Sequence, residues 1–208
     1  MSNSPKKPAV VFLLGISAGI LCRLSDLFPY ESLWSLSSIA TLFGFWIASV
    51  SAITMYSTSH KAAFTNTFLY LSGMTLAFYA LKYLLGLFVP QFDNDGAFQT
   101  KLFLAYTGLS LLCGIGSSVL YFWNDSRWYS SVLSALPAGA LLAEGIACGI
   151  VLASKHMLLG QTFFDLTAAA WFSAVMGKKA QNKLVFVGSL AACAAVVFRV
   201  VYQNWVTF

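Results

Sequence analysis

Three apolar stretches in the C-terminal half carry side chains that hydrocarbon does not tolerate: Glu144, Asp165 and Arg199. A charge at mid-bilayer depth has to be held by protein or water, because lipid cannot solvate it. Glu144 stands ten residues from either end of the run 134–154, roughly 15 Å from each surface at the helical rise, too far for its short side chain to escape. Asp165 lies near the middle of 157–176, with Gln161 four residues earlier on the same helical face. Arg199 sits about 10 Å below the outer end of 184–206. In 64–89, Thr75, Tyr79 and Lys82 follow at spacings of four and three, a polar stripe along one face. Two kinds of chemistry suit this set. The groups can clamp helices as ion pairs, Glu144 with Arg199 and Asp165 with Lys82, or they can line a water-filled pocket that binds a small solute. The four charges cancel, and Arg23 adds a positive one unless Asp26, three residues on, pairs with it, so an anionic or zwitterionic solute is slightly favoured over a cation or a proton.

Such groups need a scaffold that crosses a membrane, and the totals supply one. Of 208 residues 59% are hydrophobic and only 9% charged, where a soluble domain has about a quarter charged. Mean hydropathy is +0.76. Apolar runs of about 20 residues are needed to cross the hydrocarbon, and seven are found, at 8–28, 34–55, 64–89, 101–123, 134–154, 157–176 and 184–206. None alternates in polarity as a barrel strand would, so the expected fold is all-α: one polytopic transmembrane domain over 1–208 with seven helices. Trp34, Trp123, Trp128 and Trp205 flank the runs as interfacial anchors. Lys6, Lys7, Lys61, Arg127, Lys178, Lys179 and Lys183 fall on one side and Lys101 and Lys155 on the other, which sets the N-terminus inside and the C-terminus outside. Lys6 and Lys7 before the first run imitate a signal peptide, but no small-residue cleavage site follows, so that run is expected to stay as an anchor.

Small residues mark where helices approach closely. Gly15 and Gly19 in the first span, and Gly139, Gly145 and Gly149 in the fifth, form such packing faces. The sequence Gly15-Ile16-Ser17-Ala18-Gly19-Ile20 is echoed by Gly145-Ile146-Ala147-Cys148-Gly149-Ile150, and both spans run outward. Three helices, a linker helix and three more would make a 3+1+3 parallel repeat. In topology that plan resembles the SWEET and PQ-loop carriers, although the Pro-Gln pair here, Pro90-Gln91, stands at a helix end. The Gly15/Gly19 face is similar to the one with which substrate-capturing subunits of energy-coupling-factor importers dock a partner, yet those have six helices. Neither likeness amounts to membership.

Other chemistries lack their residues. Cys22, Cys113, Cys148 and Cys193 are widely spaced inside apolar runs and read as packing residues. His60 and His156 fall on opposite sides of the membrane, so they cannot share a metal, and no H-E-x-x-H occurs. Asp93-Asn94-Asp95-Gly96 lacks the closing glutamate of a calcium loop, since Leu104 occupies that place. The +5 formal charge comes from short loops, so no nucleic acid is expected. The reading is a non-enzymatic multi-pass protein of a prokaryotic cytoplasmic membrane, without cofactor, that binds or transports a small polar solute through a charged intramembrane cavity. Its partners are the bilayer, the solute, and a second copy or another membrane subunit on the glycine faces. The alternative is a non-transporting assembly subunit, or the substrate-capturing part of a larger importer.

Overall fold

The computed structural model describes residues 8–88 and 98–207, and everything regular among them is helical. Lys6, Lys7, the Pro90-Gln91 pair and the Asp93-Asn94-Asp95-Gly96 turn lie outside the described residues. The chain runs through α1 (Pro8–Ser25), α2 (Ser38–Thr41), α3 (Gly44–Met55), α4 (His60–Phe88) and α5 (Thr100–Leu120). A 3₁₀ turn, Tyr121–Asn124, leads to α6 (Tyr129–Lys155), α7 (Leu159–Lys179) and α8 (Lys183–Val197), which passes through a π-turn, Phe198–Tyr202, into α9 (Gln203–Thr207). Among the described residues, five stretches are long and apolar enough to cross a membrane: Pro8–Ser25, His60–Phe88, Thr100–Asn124, Tyr129–Lys155 and Lys183–Val206. The 21 residues of α7 are long enough, but Gln161, Thr162, Asp165 and Thr167 dilute its hydropathy. Large apolar side chains such as Leu184 and Phe88, 85% and 80% exposed, face outward, as they do where lipid is the solvent.

The chain divides into two compact units. The first, Met1–Leu27 with Ala52–Tyr121, is organised by the crossing of α1 and α4. Its backbones touch: a Cβ on Gly15 would lie 2.0 Å from the Tyr70 carbonyl oxygen, and one on Gly19 2.2 Å from that of Met74. Gly73 answers from the other side, 2.5 Å from the Phe12 carbonyl oxygen. The small-residue face of the first span is therefore filled by the chain's own α4. Helix α5 packs on α4 where Gly114 meets the Phe64 ring. A knot of hydroxyls pins these helices to the end of α3, with Ser117 Oγ bonded to Thr54 Oγ1 and, at 2.7 Å, to Thr67 Oγ1. All three residues are buried, and the knot satisfies hydroxyls that apolar surroundings would otherwise leave unpaired.

The second unit, Phe28–Ser51 with Phe122–Phe208, is built around α6. Helices α7 and α8 pack on it, and small residues allow the approach: a Cβ on Gly139 would sit 2.8 Å from Cys193 Cβ of α8, and one on Gly145 2.8 Å from the Leu166 side chain of α7. Around Gly149 the nearest atom is Thr162 Cγ2 at 3.8 Å, a looser fit. The α6–α7 connection is tight, with positive φ at His156 (55°) and Leu158 (68°), a conformation non-glycine residues adopt rarely. It is held from outside: Leu158 N–H donates to Ser35 Oγ at 3.2 Å and Leu159 N–H to the Leu33 carbonyl at 2.9 Å.

Here two expectations need correction. The run 34–55 is not one helix, because Leu42 is extended (ψ 164°) and divides one turn of α2 from the 12-residue α3. Trp123, expected at an interface, is buried at 6% exposure, whereas Trp34 and Trp128 are exposed.

Candidate functional site

The break before α3 and the close approach of α6 and α7 deliver four groups to one point in the second unit. Glu144 comes from the middle of α6, and Gln161 and Asp165 from successive turns of α7. All three are completely buried. The Gln161 amide sits between the two carboxylates, its Nε2 donating to Glu144 Oε1 at 3.1 Å and to Asp165 Oδ1 at 2.9 Å. Its carbonyl end faces Ser38 Oγ at 3.5 Å, a weak contact. From the opposite direction the Gly44 N–H, the first amide of α3, donates to Glu144 Oε1 at 2.7 Å. Tyr202, the last residue of the π-turn, donates its hydroxyl to Glu144 Oε2.

Each contact has a local cause. The chain break leaves the α3 N-terminal amides without intrahelical partners, and a carboxylate satisfies one of them while meeting the positive end of the helix dipole. A side chain at Gly44 would displace the acid pair, since a Cβ would fall 1.9 Å from Asp165 Oδ1 and 2.7 Å from Gln161 Nε2. The π-turn changes the angular step between residues, so Tyr202 points inward to Glu144 while Arg199, in the same turn, is exposed.

The two acids are treated unequally. Glu144 takes three donors on two oxygens, whereas Asp165 takes one donor on Oδ1, and its buried Oδ2 has no hydrogen-bond partner. Every donor to the pair is neutral. The ion pair expected between Glu144 and Arg199 is absent, because the phenol, the amide and the helix end occupy both Glu144 oxygens. These partners went unrecognised in the sequence. Tyr202 is one aromatic among several near the end of 184–206, and Gly44 stands between Phe43 and Phe45 in the middle of 34–55, where nothing in the sequence singles it out.

Lys82, Tyr79 and Thr75 belong to the first unit. Thr75 and Tyr79 are buried, Thr75 Oγ1 without a hydrogen-bond partner. The Tyr79 ring lies 6.0 to 6.4 Å from those of Tyr106, Phe103 and Phe98. Lys82 Nζ donates to Gln99 Oε1 at 3.1 Å. Arg23 pairs with Asp26 at 2.8 Å, and its guanidinium lies 5.7 Å from the centre of the Phe78 ring. This cluster can hold α1 to the C-terminal half of α4, and Asp26 balances Arg23's charge locally. The four cysteines are free thiols.

No family model, curated protein or solved structure matches this chain.

Proposed function

We propose that the chain is a multi-pass membrane protein whose Glu144–Gln161–Asp165 cluster binds a small polar solute on its way across or into the membrane. The observation that carries this reading is the pair of carboxylates, wholly buried and supported only by neutral donors. Acids at that depth are costly, and a helix clamp has no need of a carboxylate oxygen without a partner. The charge balance of the cluster also changes the solute class. With no cation donating to either acid, the site suits a solute bearing positive charge, such as a small amine, better than the anionic or zwitterionic one suggested by counting charges along the sequence.

Seven spans accommodate the helices if α2 and α3 together make one broken crossing and α7 another. Lys61, Arg127, Lys178, Lys179 and Lys183 then share the inner side, with Lys101 and Lys155 outside. A broken span with an N-terminus near mid-membrane is a plan by which transporters build binding sites. The parallel repeat receives less support, since Gly15 and Gly19 meet the third span and Gly145 the sixth, which are not equivalent places. Docking of a partner on Gly15 and Gly19 competes with α4.

The reading is tested by thermal unfolding in detergent with small amines, quaternary ammonium ions, amino acids and carboxylates at constant ionic strength. Ligand at 100 times its dissociation constant stabilises by about 2.7 kcal/mol. Amines should raise the midpoint of the native protein and not of Glu144→Gln. Stabilisation by carboxylates alone, or none by any solute, would sink the proposal.

A further inference from the structure

The inequality between the two acids assigns them different jobs. We infer that Asp165 Oδ2 is a proton-binding site, occupied at neutral pH, and that Glu144 beside it is the permanent anion; this rests on the proposed solute site and deepens it.

Geometry carries the argument. Glu144 is equipped as a carboxylate, because the Gly44 N–H, the Gln161 amide and the Tyr202 hydroxyl all donate to it and spread its charge. Both hydrogens of the Gln161 amide are then committed, one to each acid. Asp165 Oδ2 is left with no donor at zero exposure. An ionised Asp165 would place half its charge on that buried oxygen with no protein donor beside it, and with a second carboxylate sharing the same glutamine amide. Adding a proton to Oδ2 removes the charge and leaves at worst one unpaired hydroxyl, the far smaller penalty. Two carboxylates bridged by one amide repel each other when both are ionised, which favours protonation of the one with fewer donors.

The surroundings do not reverse this. On α6 the titratable neighbours are Glu144 and Cys148; the π-turn presents Tyr202, α2 the Ser38 hydroxyl, and α3 its N-terminus, already committed to Glu144. The titratable residues of α8 are placed elsewhere, with Cys193 against Gly139 and Lys183 exposed at the helix start. Arg199 is exposed.

Infrared spectroscopy of the full chain in detergent at neutral pH reads this site without any solute. A protonated-carboxyl C=O stretch is expected, shifting to lower frequency when the protein is grown with [4-¹³C]aspartate and not when glutamate is labelled at its carboxyl. The same band should vanish in Asp165→Asn. If that variant does not fold, persistence of the aspartate-labelled band in Asp26→Asn, Asp93→Asn, Asp95→Asn and Asp125→Asn assigns it to Asp165, and its loss in any of them overturns the assignment. Absence of the band, its shift on glutamate labelling, or its survival in folded Asp165→Asn would each overturn the assignment. Failure of the solute-binding reading would instead show as an unmoved unfolding midpoint while this band behaved as expected.

Discussion

Replacing Gly44 by alanine adds a single methyl group at the most crowded point of the second unit. The new Cβ would stand 1.9 Å from Asp165 Oδ1 and 2.7 Å from Gln161 Nε2, well inside contact distance, so α3 must retreat or the two side chains must turn. Either response costs about 1–3 kcal/mol by the measure of overpacked cores. Retreat of α3 also stretches the 2.7 Å bond from the Gly44 N–H to Glu144, and a hydrogen bond to a charged group contributes about 1.5–3 kcal/mol. The expected loss is about 2.5–6 kcal/mol if α3 retreats and about 1–3 kcal/mol if the side chains turn instead. The comparison is Gly108→Ala, where nothing lies within 4 Å and the helix should gain about 0.5–1 kcal/mol. Both variants are to be unfolded in detergent alongside Gly44→Ala with Asp165→Ala, in which the blocked oxygen is gone. The double variant should lose less than the sum of the single ones, because the two positions share one clash. If Gly44→Ala proved as harmless as Gly108→Ala, or if the double variant were simply additive, α3 would not be seated on the acid pair.

Tyr202→Phe removes the donor to Glu144 Oε2 and should lower stability by about 1.5–3 kcal/mol in the same unfolding assay, an effect that shrinks when Glu144 is already Gln. Gly15→Val should disrupt the first unit, since its Cβ would overlap the Tyr70 carbonyl; Gly149→Ala, with its nearest atom at 3.8 Å, should leave the unfolding midpoint unchanged or slightly raised, as for Gly108→Ala. In a cysteine-free background, Glu31→Cys should react with a membrane-impermeant maleimide from outside and Gln181→Cys only after permeabilisation, both positions being exposed. Reaction of both from one face would remove the seven-span arrangement.

Much of the helical frame was legible because it follows from hydrocarbon thickness: α1, α4, α5 and α6 start and end close to where the apolar runs do. Glu144 and Asp165 stood out for an equally plain reason, being too short to reach either surface. Their partners did not stand out. Pairing charge with charge along the sequence led to Glu144 with Arg199, yet a guanidinium has a long stem and settles on the exposed side of its turn, while a phenol three residues on takes the inward place. The π-turn that makes this possible leaves no mark in a run of Val and Phe. The break at Leu42 was hidden as well, because no proline announces it. What ends α2 is a tertiary contact, the Gly44 amide finding a carboxylate a hundred residues away.

That contact also bears on why the acids are present at all. If α6 and α7 only needed to be held together, Leu166 against Gly145 and the apolar faces around them would serve, and buried ion pairs or acids are often no better than hydrophobic residues of the same size. The chain instead spends a helix break, a π-turn, a committed glutamine and a crowded glycine on supporting one carboxylate, and then leaves the second half-supported. Local rules are broken at four neighbouring positions in an otherwise regular bundle of helices, and such concentration is characteristic of sites retained for function. An asymmetric pair, with one acid fully bonded and the other holding an oxygen in reserve, is suited to gaining and losing a proton while its neighbour keeps the negative charge that a cationic solute would need.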